Sequence, residues 1–255
     1  MIRADLHIHS CLSPCGSLDM SPSAIVHAAR HAGLDMIAVT DHNSSRNSAV
    51  VARLAKQAGL ACWHGLEACT VEEIHVLCLF PRLDEAIELS TYLRERLPPV
   101  PWVEGKMGDQ VIVNEQEEIE EWETLFLGSG ARITLTELGE RVLAAGGWFI
   151  PAHVDRPVNS LLSQLGRVPD FPFSALEVSP AYDLAKDPER LADRFPLVGH
   201  SDAHHLEDIG RRWTLYAAVP VPGQPLRPAG VGVRPSPTLA PPPEEIGGCP
   251  SGPAR

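Results

Sequence analysis

The sequence predicts an α/β protein, a TIM-like β/α barrel of about seven units with a metal site at the C-terminal ends of its strands. Three observations point there. Apolar, strand-length runs alternate with segments of helical period, the pattern of βαβ units and a mainly parallel sheet. About seven such units fit into roughly 220 residues, which suits a barrel better than an open sheet. Several apolar runs also close on His, Asp or Glu, at the end where such barrels build sites from their βα loops.

The elements follow in order. IRADLHIH is the first strand. Alternate side chains of a strand share a face, so His7 and His9 stand on one side about 6–7 Å apart. Two imidazoles there suit a metal ion; a solvated strand edge is the plain alternative. Ser21-Pro22 starts a helix, with Ser21 as cap and Pro22 in the first turn, and Gly33 ends it as a left-handed cap. DMIAVTDH is a short buried strand closing on polar residues. A helix over 46–58, RNSAVVARLAKQA, is stopped by Gly59. ACWHGLEA and IHVLCLF are the third and fourth strands. RLDEAIELSTYLRERL has helical periodicity and stops at Pro98-Pro99.

The stretch 98–131 reads as an insertion with a short hairpin or helix. TLTELGERVLAAGG is a helix capped by Thr134 or Thr136 and ended by a Gly pair. GWFIPAHV, FSALEVS and FPLVGHSD are strands, with short helices near 159–165 and 187–194. WTLYAAV, from Trp213, is the last strand. From Pro220 onward proline and glycine dominate and aromatics vanish. Such a segment buries too little apolar surface to offset its ordering entropy. The expected division is therefore a barrel domain over 1–219, carrying the 98–131 insertion, and a disordered tail over 220–255.

Composition narrows the function. The formal net charge of −12 argues against a surface built for sequence-independent nucleic-acid binding. Two or three divalent cations in one cleft would bring roughly +4 to +6 locally and reverse the field of the site, so an anionic substrate stays compatible. MIRADLHIHS has no cationic region followed by a long apolar run, and no stretch approaches the ~20 apolar residues of a membrane span. The expectation is a cytoplasmic protein with no membrane partner. Of the cysteines, Cys11, Cys15, Cys62, Cys69, Cys78 and Cys249, none forms a C-x-x-C pair, and reduced thiols are expected.

The polar residues that close the strands gather into one set. The first strand gives His7 and His9, the second Asp41 and His42, and the third Glu67. The fourth gives His75 at its beginning, reached by a bend. PAHVDR gives His153 and Arg156, and GHSDAHH gives Asp202 and His204. Nitrogen and carboxylate donors without organised thiolates suit Zn²⁺, Mn²⁺ or Fe ions. The donors exceed the need of one tetrahedral ion, so two or three divalent ions are expected, with Glu67 bridging a pair. Asp41 is read as orienting a ligand imidazole. Arg156 can reach a phosphate oxygen bidentately or form a surface salt bridge. His27 and His31 lack the Glu of H-E-x-x-H and read as a solvated helix face. His64 and His200 pack or line the cleft, His205 is exposed, Glu177 borders the site, and EQEEIEEWE is a solvated acidic face.

The segments DLHIHS, AVTDHN, GLEA, IHVLCLF, PAHVDR and GHSDAHH, in this order over residues 3–212, resemble the successive motifs of the PHP (polymerase and histidinol phosphatase) superfamily. SDAHHLEDIGR resembles a PHP-associated C-terminal segment. The resemblance implies a distorted seven-stranded β/α barrel holding two or three metals and acting on phosphate esters. Its implied metal ligands are His7, His9, His42, Glu67, His75, His153, Asp202 and His204. After the H-x-H pair many members carry an Asp or His that helps hold a third metal. Here the segment is Ser13-Pro14-Cys15-Gly16, and Cys15 or Asp19 is left to substitute.

The expected activity is a metal-dependent phosphoesterase in which metal-activated hydroxide attacks phosphorus in line with the leaving oxygen. Arg156 and Asp202 are its catalytic candidates. The expected substrate is a small phosphomonoester or nucleotide. Nucleic acid enters as a substrate only, as in hydrolysis of a 5′-phosphorylated oligonucleotide. The rival of another class is a non-catalytic, metal-binding regulatory barrel. Metal-assisted C–N hydrolysis is disfavoured, because no lysine closes a strand to be carboxylated as a bridge.

Overall fold

Two βαβ units open the chain. β1 (Ile2–Ile8), α1 (Pro22–His31), β2 (Met36–Val39), α2 (Ser48–Gln57) and β3 (Ala61–Cys69) place three strands side by side, parallel throughout. The computed structural model describes residues 1–183, 186–187, 190–221 and 224–234. Both faces of β2 are buried, which its unbroken apolar run anticipates. Ile37 and Val39 pack outward against Ile25 and Ala29 of α1 and Val51 and Ala55 of α2. Met36 and Ala38 pack inward with Leu6, Leu77, Leu79 and Ile150, and the Trp63 and Trp148 rings stack at 3.8 Å. Each of these side chains adds roughly 1.5–3 kcal/mol on burial, so the inner cluster fixes the scaffold on which the polar strand ends sit.

The rest of the sheet departs from the parallel expectation. β4 (His75–Phe80) pairs antiparallel with β3, because only residues 70–74 connect them and a parallel return needs about a dozen or more. Next come α3 (Leu83–Arg94), β5 (Val111–Val113), β6 (Ile119–Trp122), α4 (Leu135–Ala144) and β7 (Trp148–Pro151). They are followed by α5 (Leu161–Leu165), β8 (Leu176–Glu177), α6 (Leu191–Arg194), β9 (Leu197–Val198), β10 (Arg212–Tyr216) and β11 (Pro228–Val233). The main sheet has the order β11-β10-β1-β2-β3-β4-β7, and β8–β9 form a separate parallel pair. The architecture is thus the expected α/β class, built as a curled seven-stranded half-barrel whose sheet is mixed where a mainly parallel one was expected. Thr134, not Thr136, caps α4, in a reciprocal capping box with Glu137.

The segment expected as a disordered tail contributes a strand. β11 pairs antiparallel with β10 at the sheet edge. Backbone pairing needs no large apolar side chain, and Pro228 opens the strand, where a missing N–H is tolerated. Gly232 lies against the Trp213 indole, where a Cβ would overlap the ring. Of that expected tail, residues 222–223 and 235–255 lie outside the described residues.

The insertion is a hairpin of β5 and β6 docked beside the turn after β1. The Val111 N–H donates to the Cys11 carbonyl at 3.1 Å, and Asn47 grips both Val111 and Val113. Asn43 donates to the Leu127 and Ser129 carbonyls at 2.8 and 2.9 Å, which ties the far end of the insertion to the same rim. The acidic run 115–122 is exposed, as expected, but Glu123 is buried. It accepts two 2.9 Å bonds from Arg94.

Candidate metal centre

The strand directions bring the polar residues to one rim. His7 lies in β1 and His9 just beyond it, His42 follows β2, Glu67 lies near the end of β3, and His153 follows β7. His75 opens its strand yet reaches the same rim, because β4 is antiparallel and His75 pairs with Cys69. A bend is not needed. The return segment after β9 lies along β1, with the His9 N–H donating to the Ala203 carbonyl at 2.9 Å, which sets Asp202 opposite the histidine pair. His153 (φ 31°) and Asp202 (φ 52°) both adopt the left-handed region, a conformation non-glycine residues hold where the surroundings impose it.

Glu67 is the centre of the cluster. Its Oε1 lies 3.0 Å from His75 Nδ1, 3.3 Å from His7 Nε2 and 3.4 Å from His153 Nε2. Its Oε2 lies 3.1 Å from His42 Nδ1 and 3.5 Å from His9 Nε2. Asp202 Oδ1 is 3.2 Å from His7 Nε2 and 3.1 Å from His9 Nε2. Glu67 Oε1 and His42 Nδ1 are nevertheless buried without a hydrogen-bonded partner. Buried polar atoms are rarely left this way, and lone pairs converging on shared space fit a cation.

Three trios present donor atoms within 4.8 Å of one another: His7, His9 and Asp202; His42, Glu67 and His75; and His9, Cys15 and His42. The first two have the nitrogen and oxygen donors that suit Zn²⁺, Mn²⁺ or Fe ions. His204 stands beside them, its ring stacked on His9 at 4.4 Å. Arg156 Nη1 is 2.6 Å from Asp202 Oδ2 and 40% exposed at the mouth. All the residues expected to form the site are therefore together. Asp19 is exposed and belongs to none of the trios.

The surrounding shell sets ring orientation. Glu177 accepts from His7 Nδ1 at 2.9 Å, His200 Nδ1 at 2.8 Å and the His153 N–H at 3.1 Å, so it is a hub and not only a border residue. With its Nδ1 proton directed to Glu177, His7 turns its Nε2 lone pair to the cluster. Asp41 acts through Ser13: the Ser13 hydroxyl donates to Asp41 Oδ1 at 2.8 Å and accepts from His9 Nδ1 at 2.9 Å, which frees His9 Nε2. Asp5, which sequence reasoning missed, is buried and accepts from the Ser201 and Gly210 N–H groups. It fixes the segment that carries Asp202 and His204. A carboxylate on an apolar strand was its only sequence signal. His64 bonds Ser48, and His205 is exposed.

Electrostatics keep the carboxylates charged. Burial alone would raise Glu67, but the His75, His7 and His42 imidazoles outweigh it and hold the group well below its usual range. Burial is likewise outweighed at Asp202 by His7 and His9, and at Glu177 by His7 and His200. Burial pushes His42 well below its usual value, and burial with His9 pushes His204 down to about 4. The same carboxylates act the other way on two rings: Asp202, Glu177 and Glu67 outweigh burial at His7 and raise it well above its usual value, and Glu67 raises His75 to about 10. An ion binding there must therefore displace protons from imidazoles as well as meet anionic oxygens.

No protein-family model matches the chain. An uncharacterized protein of Methanocaldococcus jannaschii is 32% identical over 79 residues, 28% of this chain and 46% of that protein. The match thus spans less than half of that relative's length. Among solved structures, the lesion-specific endonuclease PfuEndoQ of Pyrococcus furiosus has a TM-score of 0.63 at 19% identity, covering 84% of this chain and 51% of its own. An endonuclease Q complex, with a 27-mer duplex substrate whose abasic lesion lies at the active site, has a TM-score of 0.62 at 18% identity, over 84% and 52% of the two chains. A Bifidobacterium adolescentis protein, classed by inference as a metal-dependent phosphoesterase, has a TM-score of 0.54 at 18% identity, over 88% and 91%. The chain shares the fold of these proteins and spans about half the length of the endonuclease. Among the described residues, no helix is long and apolar enough to cross a membrane.

Proposed function

We propose that this chain is a PHP-type metal-dependent phosphoesterase that hydrolyses a small phosphomonoester or nucleotide. Two or three divalent ions, drawn from Zn²⁺, Mn²⁺ and Fe²⁺, would be held by His7, His9, His42, Glu67, His75, His153, Asp202 and His204. One observation carries the reading. Five imidazoles lie within 3.0–3.5 Å of the two Glu67 oxygens, while Glu67 Oε1 has no hydrogen-bonded partner. The shared fold supports it.

Divalent ions in this cleft would supply Lewis acidity and an acidified water at neutral pH. The chain's own groups do the remainder. Glu177 and Ser13 hold the His7 and His9 rings in the tautomers that aim Nε2 inward. Arg156 is exposed enough at the mouth to turn from Asp202 toward a phosphate oxygen, where its planar fork can bind two oxygens. Asp202 stays ionised, which suits a ligand and an anchor for Arg156 and does not suit a proton donor. The buried floor keeps bulk water away from His7, His9 and Glu67, and preorganised charges act more strongly there.

The acidic hairpin at the rim favours a compact anion over an extended strand. The second reading, an oligonucleotide substrate, is favoured by the fold shared with endonuclease Q. The test is elemental analysis of purified protein, then turnover of an aryl phosphate, nucleoside monophosphates, a 5′-phosphorylated oligonucleotide and an abasic duplex, with each metal added back. Hydrolysis of the small esters is expected, and His9→Ala should lose at least one metal equivalent and nearly all turnover. Full metal content with no hydrolysis across the panel would instead favour a regulatory barrel.

A further inference from the structure

We infer that Trp102 and Trp122, on the insertion beside the mouth, form a stacking platform for the base of a nucleoside monophosphate whose phosphate enters the cleft. The inference rests on the reading above that the cleft hydrolyses a phosphomonoester. It adds the flat, aromatic part of that ester and the residues that recognise it.

The two indoles stand apart from the protein's other tryptophans. Trp63 and Trp148 stack within the inner cluster, and Trp213 packs against the outer one. Among the described residues, Trp102 and Trp122 belong to no core cluster, and their ring centroids lie 5.2 Å apart at 31°. Trp122 is 38% exposed, and Val103 and Ile119 are exposed as well. An exposed apolar patch among charged neighbours marks a binding surface, and Glu104, Glu118 and Glu120 are its exposed neighbours in sequence.

Register turns this patch toward the cleft. Val111 pairs with Trp122 and Val113 with Ile119, and directly opposed residues share a face of an antiparallel pair. Val111 and Val113 use that face to bury Cys11, in the turn after β1, so Trp122 and Ile119 extend it along the same rim. Trp102 is tied there as well. Its Nε1 donates to the Gly108 carbonyl at 2.6 Å, and Gly108 packs on Pro14 so closely that a Cβ would overlap the Pro14 carbonyl. Pro14 is one residue, a step of about 3.8 Å, from Cys15, whose Sγ lies within 4.8 Å of one nitrogen each of His9 and His42. The indoles therefore stand just outside the donors of the cleft.

The platform is held in place. Glu117 accepts from the Ser23 N–H at 2.8 Å, Glu121 pairs with Arg46, and Glu115 pairs with Arg53, which fastens the hairpin to α1 and α2. The two arginines also offset acids that would repel an incoming phosphate. Any nucleobase offers a flat face that stacks on an indole, and a bare sugar phosphate offers none. Lys106 is the one cation of residues 98–131, so a run of backbone phosphates has no basic groove to follow there. The occupant that fits is a mononucleotide.

The test compares turnover of adenosine 5′-monophosphate and ribose 5-phosphate by the metal-loaded full chain. The tryptophan indole N–H resonances are followed by NMR as each is added. kcat/KM for the nucleotide should exceed that for the sugar phosphate about tenfold or more. The Trp102 and Trp122 resonances should shift with the nucleotide, and those of Trp63 and Trp148 should not. Trp122→Ala should collapse the ratio by raising KM for the nucleotide, with metal stoichiometry and the far-ultraviolet circular dichroism spectrum intact. Trp122→Phe keeps an aromatic face and should restore most of the ratio. Equal turnover of the two esters, unmoved rim indoles, or a ratio that survives Trp122→Ala overturns this inference alone. No turnover of either ester or of an aryl phosphate overturns the proposed function, and the indole shifts then decide the platform by themselves.

Discussion

Replacing Glu177 by glutamine separates its charge from its shape. Three donors converge on the carboxylate: His7 Nδ1 and the His153 N–H on Oε2, and His200 Nδ1 on Oε1. In Glu177→Gln the amide oxygen can take the Oε2 position and keep the first two. The amide NH2 then faces His200, which becomes an acceptor by moving its proton to Nε2, 3.3 Å from the Thr214 hydroxyl. No donor is stranded, so the loss is that of charge assistance, roughly 1 kcal/mol for each of two imidazole bonds. About 2 kcal/mol corresponds to a thermal midpoint lowered by roughly 4–8 °C at this chain length. Metal affinity should fall about 10- to 100-fold, as for other groups that orient a ligand imidazole. Glu177→Ala strands three buried donors at roughly 1–3 kcal/mol each, comparable with the ~5–15 kcal/mol of a whole domain, and should not accumulate folded. Chelator competition and thermal unfolding read both variants. A glutamine variant equal to the parent in both assays, or as damaged as the alanine variant, would refute the reasoning.

Glu123 is held below the ordinary carboxylate range because Arg94 and the Leu125 and Thr124 N–H groups outweigh the effect of burial. Its stabilisation is therefore present above the unfolded pKa near ~4.3 and is lost as pH falls through the lower folded value. Glu123→Gln should reduce stability by about 1–3 kcal/mol at pH 7, and denaturant titrations should show the gap closing at acid pH. Gly232→Ala should push β11 off Trp213 at roughly 1–3 kcal/mol, read as faster amide exchange in β10 with metal content unchanged. Arg156→Lys, which loses the planar fork, should raise KM for a phosphomonoester about tenfold or more without changing metal stoichiometry; an unaltered KM would remove Arg156 from substrate binding.

Most of the site was legible because each donor closes or opens an apolar run, so His7, His9, His42, Glu67, His153 and Asp202 stand out against their neighbours. Strand direction was less so, since a buried run reads alike either way; the short 70–74 link was the available clue that His75 shares the rim without a bend. Glu177 in ALEVS and Asp5 in RADLH carry no local mark of their partners, which come from residues far along the chain. Cys15 and Asp19 could only be set side by side, because their distances from His9 and His42 depend on how the loop after β1 folds. β11 escaped notice because PAGVGV offers little apolar mass, and its pairing rests on backbone groups and the Trp213 face.

The two halves of the histidine–aspartate cluster, His9 and Asp202, are 193 residues apart in sequence, and the Ile8–Ala203 bridge fastens them together. A chain emerging from the ribosome therefore cannot assemble this part of the cleft until the segment through Asp202 has been made. Closing so long a loop is entropically expensive and slow to nucleate. Truncation between residues 76 and 201 leaves Glu67 with His42 and His75 but no Asp202 across the mouth, so such a half-made chain can at most collect an ion without the Asp202–Arg156 pair that would greet an anion.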